Sequence, residues 1–128
     1  MSPYEWTVLR VVPRVERCEF VNAGVVVYCQ QLDFLQAAVA LDERRLKALD
    51  PEVDVATVRR HLDAVRRLCA GDPDAGANAA RPQGERFRWL ASPRSTVVQC
   101  APVHTGVTTS PADELTRLLD TMVRLPAE

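Results

Sequence analysis

The segment Val25-Val26-Val27-Tyr28-Cys29 decides the fold expected for this chain. It is a continuous apolar run with three β-branched residues, which favours a strand that is buried on both faces. We therefore expect this strand to lie in the centre of a sheet. The polar segment before it, Arg14 to Gly24, should then lie at one end of that sheet.

Further strands are predicted on both sides of this segment. Aromatic and β-branched residues predict a first strand over Tyr4 to Val12, and Phe34 to Leu41 predicts a third, although its alanines leave a helix open. Two more strands are expected over Arg86 to Leu90 and Ser95 to Cys100. The stretch from Asp72 to Gly84 is rich in turn residues and predicts an exposed loop.

Two amphipathic helices are predicted to pack on the sheet. The first follows an N-cap at Asp54 and runs from Val55 to Cys69, with apolar residues three and four positions apart. The second covers Ala112 to Val123 and follows a cap at Ser110. A shorter helix is expected after Asp42.

The order of these elements indicates the fold class. Strands and helices do not alternate regularly along the chain, a pattern typical of the α+β class. We expect a single domain over residues 1–128. It should contain one antiparallel or mixed sheet of four to five strands, with the two main helices packed on one of its faces.

Composition and charge exclude several classes of function. The chain has 128 residues, 47% of them hydrophobic and 26% charged, which is the composition of a globular domain. A net charge of −1 provides no overall attraction to nucleic acid or to an anionic membrane. No apolar run reaches the roughly 18 residues of a membrane span, and the N-terminus lacks a signal-peptide pattern. We expect a cytoplasmic protein with no membrane or nucleic-acid partner.

The four cysteines predict reduced thiols. Cys18, Cys29, Cys69 and Cys100 are widely separated and form no CxxC pair, whereas structural zinc sites usually supply ligands in close pairs. Cys29 and Cys69 lie among apolar residues, which favours buried free thiols. No metal or cofactor is expected.

Two polar segments at predicted strand ends contain the candidate binding residues. Arginine presents a planar fork to phosphate or carboxylate, and serine and glutamine can orient the remaining oxygens, so these residue types suit an anion pocket. The competing interpretation is that the charges are solvated or paired with nearby carboxylates. The candidates are Arg14, Arg17, Glu19, Asn22, Arg94, Ser95, Gln99 and His104.

This pocket requires the two segments to meet in space. We expect the segment from Arg14 to Asn22 and the segment from Pro93 to His104 to lie at the same end of the sheet. That arrangement follows if the strand Val25 to Cys29 and the strand Val97 to Cys100 are close neighbours.

Catalysis has less support. His104 is a candidate general base with Glu19 as its carboxylate partner, but no nucleophile elbow, phosphate loop or metal-binding histidine pair accompanies them. A histidine hydrogen-bonded to backbone is the simpler interpretation. The arginines of the Val55 to Cys69 helix fit a solvated face better than an anion-binding surface. Trp6 and Trp89 fit core anchors better than base-stacking platforms. No catalytic residue is assigned, and whether the chain is an enzyme stays open.

Longer motifs resemble one bacterial family, known only as domain of unknown function 3037. The resemblance covers nearly the whole chain. It departs at Cys18, where the family pattern is Arg-Gly-Glu-Phe, and at Ala23; a lost glycine matters where the backbone takes a positive φ. The motifs are Val8-Leu9-Arg10-Val11-Val12-Pro13, Glu16-Arg17-x-Glu19-Phe20-Val21-Asn22-x-Gly24-Val25-Val26, Phe87-x-Trp89-Leu90, Pro93-Arg94-Ser95 and Gln99-x-x-Pro102-Val103-His104-Thr105-Gly106.

The resemblance implies kinship without an established activity. It also implies a candidate partner, a HipA-like kinase, because genes for such domains are reported beside genes for these kinases. Our preferred hypothesis is a non-catalytic accessory or protein-interaction domain. The alternative is a small enzyme or binding protein for a phosphorylated or other anionic ligand.

Overall fold

The chain folds as one antiparallel sheet with helices on both of its faces. In the computed structural model, residues 1–126 are described. The strands are β1 (Ser2–Val11), β2 (Val21–Cys29), β3 (Phe34–Val39), β4 (Val98–Cys100) and β5 (His104–Thr108). The helices are α1 (Glu43–Leu49), α2 (Val55–Ala70), α3 (Gln83–Ala91) and α4 (Pro111–Met122). The predicted α+β class, the antiparallel sheet and the strand number are confirmed.

Strand β1 organises the sheet because it pairs on both of its sides. β2 pairs along one side, and β3 pairs in turn with the outer side of β2. On the other side, the first half of β1 pairs with β5 and the second half with β4. The strands β4 and β5 therefore follow each other along the same edge of β1. His104 lies opposite Trp6, and Gln99 lies opposite Arg10.

The segment Val25 to Cys29 is buried on both faces, as predicted. Val26 and Tyr28 pack with α1, α2 and α3, whereas Val25, Val27 and Cys29 pack with α4. The expectation that both main helices share one face is wrong, because α2 and α4 cover opposite faces. Side chains alternate between the two faces of a strand, so an apolar run in β2 requires cover on both sides.

The predicted helix starts are confirmed. The side chains of Asp42, Asp54 and Ser110 each accept a hydrogen bond from a backbone N–H in the first turn of α1, α2 and α4. At the end of α2, Gly71 takes a left-handed conformation with φ of 74°. A glycine at that position is a common helix terminator because it adopts this conformation without strain.

The predicted strand over Arg86 to Leu90 is wrong, since these residues belong to α3. Phe87 and Leu90 are three positions apart and both buried, which is the spacing of a helix face. A short apolar run cannot by itself distinguish a strand from a buried helical turn. The predicted strand Ser95 to Cys100 is also shorter, because only Val98–Cys100 pairs.

The stretch from Asp72 to Gly84 is only partly the exposed loop that was predicted. It contains two short 3-10 turns, Pro73–Ala75 and Ala77–Ala80, and it buries Ala79 against the core. The α3 residue Arg86 ties it in place, because its Nη1 donates to the carbonyls of Ala79 and Arg81 at 3.0 and 3.1 Å.

Two positions in the family motifs show where glycine matters. A Cβ on Gly106 would lie 2.7 Å from the Tyr4 ring, so glycine allows that ring to cover β5. Cys18 has φ of 60°, a left-handed conformation that is costly for a residue with a side chain. The family departure at this position therefore falls where glycine would relieve strain.

The cysteines are free thiols in different environments. Cys18 is exposed, Cys29 and Cys69 are buried, and Cys100 is half-buried. Burial raises the pKa of Cys69 to about 12 and the pKa of Cys100 to about 11.

None of the helices in residues 1–126 is long and apolar enough to cross a membrane.

Candidate functional site

A groove lies between α2, α3 and β4, and we call it the α2–α3 groove. Its volume is about 430 Å³. Apolar side chains form its floor and one wall, and polar side chains surround them. The apolar members are Leu9, Ala64, Val65, Leu68, Ala75, Trp89, Leu90, Val98 and Cys100, and the polar members are Thr57, Arg60, His61, Asn78, Ser92, Arg94, Thr96 and Gln99.

The first turns of α2 place one arginine at this groove. Arg60 Nη2 donates to the hydroxyl of Thr57 at 2.8 Å, and that hydroxyl donates to the Asp54 carboxylate at 2.7 Å. The Thr57 contacts hold the pKa of Asp54 below its usual value. The guanidinium of Arg60 is therefore positioned through a hydroxyl and has most of its N–H donors left over.

The segment after α3 places a second arginine there. The guanidinium carbon of Arg94 lies 3.7 Å from the centroid of the Trp89 ring, and Arg94 Nη2 donates to the Trp89 carbonyl. Trp89 is 44% exposed, so the prediction that it anchors the core is wrong. Because Phe87 and Leu90 occupy the inward face of α3, position 89 faces outward.

Positive charge at the groove is not balanced by its own lining. Arg60 and Arg94 line it, and no aspartate or glutamate does. Within residues 1–126, neither of these arginines forms an ion pair. By contrast, Arg59 on the outer side of α2 pairs with Glu43 at 2.7 Å. The groove therefore combines an apolar floor with two guanidinium groups that form no direct ion pair within residues 1–126.

The first predicted polar segment does not reach this groove. Arg14 pairs with Asp50 at 3.3 Å and Arg17 pairs with Glu19 at 2.5 Å. Asn22 Nδ2 donates to the carbonyl of Met122 at 3.0 Å, at the end of α4. These candidates are engaged in local contacts, which is the competing interpretation of the sequence.

The second predicted segment is divided. Arg94 and Gln99 line the groove, whereas Ser95 and His104 do not. The ring of His104 stacks on Trp6 at 4.6 Å. Its position on the sheet is four β1 residues away from that of Gln99, or about 13 Å along the strand.

The two segments therefore meet only in part. The N–H of Val12 donates to the carbonyl of Val97 at 2.6 Å, which brings the start of β4 to the end of β1 from which Arg14 follows. His104 lies farther along the edge, beside the first half of β1. The eight candidates are distributed over separate places and do not converge on one pocket.

The eight residues predicted from the sequence do not include Thr57, Arg60 or His61; Arg60 was assigned with the other α2 arginines to a solvated helix face. A signal was present. Thr57, His61, Ala64 and Leu68 recur at spacings of four, three and four beside the main apolar stripe. Leu68 is buried although it lies outside that stripe, so α2 has a second semi-apolar face.

A larger and more open cleft of about 1000 Å³ lies on the other side of Trp89. Its charges are paired internally. Arg88 donates to both carboxylate oxygens of Glu5, at 2.8 and 2.6 Å, and Arg81 lies 3.9 Å from Glu85. Trp89 thus forms a ridge between a neutral cleft and the positively charged α2–α3 groove.

Comparison with known proteins supplies kinship alone. Residues 6–123 match the family described as protein of unknown function (DUF3037). No curated protein and no solved structure gives a significant match to the chain. The family match covers β2 to β5 completely and β1 from Trp6 onward. It also covers α2 and α3, between which the groove lies. The chain therefore belongs to the DUF3037 family.

Proposed function

We propose that this protein is a non-catalytic accessory domain that acts by binding a partner protein, with Trp89 and Arg94 at the centre of its binding surface. The observation that carries the proposal is the exposed indole of Trp89, held in place by a stacked guanidinium. An exposed tryptophan on a helix surface is costly to leave in water, and burial against a partner would recover that free energy.

The chemistry of this pair supports protein recognition. Tryptophan and arginine are enriched among the residues that dominate binding energy at protein interfaces. The stack with Arg94 restricts the indole, so less side-chain entropy is lost on binding. The concave surfaces on both sides of Trp89 would let a partner enclose the ridge and exclude water from it.

Several groups that could perform catalysis are engaged elsewhere. Burial raises the pKa of Cys69 and Cys100, so both thiols are protonated and poor nucleophiles at neutral pH. The ring of His104 is stacked on Trp6, and Glu19 pairs with Arg17. These contacts favour a role in binding over a role in chemistry.

A HipA-like kinase is the first partner to test, because the family resemblance implies it. The experiment is affinity measurement between the full chain and a HipA-like kinase of the source organism. Trp89→Ala should weaken the complex at least tenfold. The matched control is Phe20→Ala, since Phe20 is 42% exposed and lies under Arg10 in a similar stack of 4.1 Å. Wild-type affinity for Trp89→Ala, or equal loss in both variants, would contradict this surface.

A further inference from the structure

Independently of partner binding, we infer that the α2–α3 groove is a binding site for a small organic anion with one carboxylate or phosphate group on an apolar body. The site would take the charged group at Arg60 and Arg94 and the apolar body on the floor between α2 and β4. The sequence favoured a solvated surface for the α2 arginines over an anion-binding one, and the tertiary structure brings Arg60 to the same groove as Arg94.

The floor provides the apolar half of this recognition. Leu9 is fully buried at its base, and Leu68 and Leu90 are nearly so. Val65 and Val98 are half-buried and complete the lining. A hydrocarbon or aromatic group would lie on the exposed parts of Val65, Val98 and Trp89 and would remove that apolar area from water, at about 25 cal/mol per Å².

The polar rim provides the charge, and its hydrogen bonds identify which groups are available. The Thr57 hydroxyl donates to Asp54, the Ser92 hydroxyl donates to the Arg88 carbonyl at 2.9 Å, and the Thr96 hydroxyl donates to the Val98 carbonyl at 2.7 Å. These hydroxyl protons are already used. Recognition of an anion therefore falls to the guanidinium groups.

Arg60 and Arg94 meet that requirement. Each guanidinium has five N–H donors, and each uses one of them within residues 1–126, toward Thr57 and toward the Trp89 carbonyl. No carboxylate lines the groove to compete with a bound anion. Arg94 is half-buried and Arg60 is exposed, so Arg94 is the better shielded of the two and should attract an anion more strongly.

The size of the groove limits the ligand. A volume of about 430 Å³ lies in the range of roughly 300 to 1000 Å³ that small-molecule sites occupy. A bare inorganic ion would leave the apolar floor in contact with water, and a neutral hydrocarbon would leave both arginines unpaired. An amphipathic anion satisfies both parts of the site.

Calorimetric titration of the full chain tests this inference with four probes at concentrations below micelle formation. Decanoate and decyl phosphate carry both recognition elements, decanol lacks the charge, and inorganic phosphate lacks the apolar body. Decanoate or decyl phosphate should bind at least tenfold more tightly than decanol and inorganic phosphate. If decanoate binds more tightly than decyl phosphate, the ligand carries a carboxylate, and if decyl phosphate binds more tightly, the ligand carries a phosphate. Equal affinities would mean that the site accepts both groups.

Variants place the ligand in the groove. Arg60→Gln and Arg94→Gln should each weaken the tighter probe about tenfold, because each removes one charge-assisted contact. Arg59→Gln is the matched control on the same helix, since Arg59 pairs with Glu43 and does not line the groove. Arg59→Gln should bind the probe as the wild type does.

Three outcomes would overturn the inference: decanol binding as tightly as the charged probes, no binding of either charged probe, or unchanged affinity in both Arg60→Gln and Arg94→Gln. Arg60→Gln tests the anion site separately from the partner proposal. Arg94 stacks on Trp89, the centre of the proposed partner surface, whereas Arg60 bonds to Thr57. Loss of probe binding with retained kinase binding in Arg60→Gln would support the anion site alone.

Discussion

The guanidinium of Arg94 lies over the indole of Trp89, with 3.7 Å from its central carbon to the ring centroid. The contact joins α3 to the segment that leads into β4, because Arg94 also donates to the Trp89 carbonyl. Trp89 is largely exposed, and Arg94 is half-buried beside the groove. The pair therefore shapes the surface without belonging to the core.

Arg94→Ala should cost little stability. An exposed cation–π contact contributes about 0.5–1 kcal/mol, so the free energy of unfolding in urea should fall by about that amount. Phe87→Ala in α3 should cost about 3–5 kcal/mol, because Phe87 is fully buried. A loss for Arg94→Ala as large as that for Phe87→Ala would make the arginine a structural residue.

Cys18→Gly should stabilise the protein. Cys18 has φ of 60°, and a left-handed conformation costs a residue with a side chain about 1–2 kcal/mol. Glycine removes that strain, but its greater freedom in the unfolded chain lowers the free energy of unfolding by about 0.5–1 kcal/mol. We expect a net gain of about 0.5–1 kcal/mol in urea denaturation.

The control for this substitution is Cys18→Ala. Alanine removes the thiol but retains the Cβ, so it should leave the free energy of unfolding close to that of the wild type. An equal gain in both variants would assign the effect to the sulfur and contradict the backbone explanation.

Thr7→Val should destabilise the junction between β4 and β5. Thr7 is fully buried, and its hydroxyl donates to the carbonyl of Ala101 at 2.6 Å. Valine has a similar volume but no donor, and an unsatisfied buried polar group costs about 1–3 kcal/mol. Thr116→Val on the exposed side of α4 should change stability by less than about 0.5 kcal/mol. Similar values for the two variants in urea denaturation would be inconsistent with this assignment.

Acid should remove one contact between α4 and the sheet. Arg117 first, and then the hydroxyl of Tyr4 at 3.1 Å, hold the pKa of Glu114 below its ordinary value of 4.5. A carboxyl group with a lowered folded-state pKa stabilises the fold above its unfolded pKa, and this stabilisation disappears as the pH falls through the folded pKa.

The measurement for Glu114 compares the wild type with Glu114→Gln in urea. Because the ion pair is partly exposed, the wild type should be more stable by about 0.5–1 kcal/mol near neutral pH. The difference should vanish once Glu114 is protonated in both states, well below its ordinary pKa. A difference that persists in acid would show that packing, and not charge, distinguishes the variant.

The thiols should react in the order of their exposure and pKa. In the native protein under non-reducing conditions, iodoacetamide should label the exposed Cys18 first. Cys69 and Cys100 should react slowly, since burial raises the pKa of Cys69 to about 12 and that of Cys100 to about 11. All four thiols should become labelled after unfolding. Rapid native labelling of Cys69, or a native disulfide seen by mass spectrometry, would contradict this arrangement.

Much of the architecture could be predicted because its signals are local. The apolar run of β2, the caps at Asp54 and Ser110 and the stripes of α2 and α4 are each contained in one short segment. α3 could not be assigned in the same way, because Phe87 and Trp89 have the spacing of a strand face whereas Phe87 and Leu90 have the spacing of a helix face. Only the core that both residues enter selects the helix.

The sequence by itself determined that the chain forms a sheet with a doubly buried strand and amphipathic helices, because burial of β2 and the helical stripes depend on residues close in the chain. The tertiary structure alone decided which charges meet. Pairing of β4 with the second half of β1 brings Arg94 to the groove that Arg60 also lines, and pairing of β5 with the first half places His104 outside that groove. Residue types and spacing do not encode that result, since it depends on which part of β1 each strand pairs with.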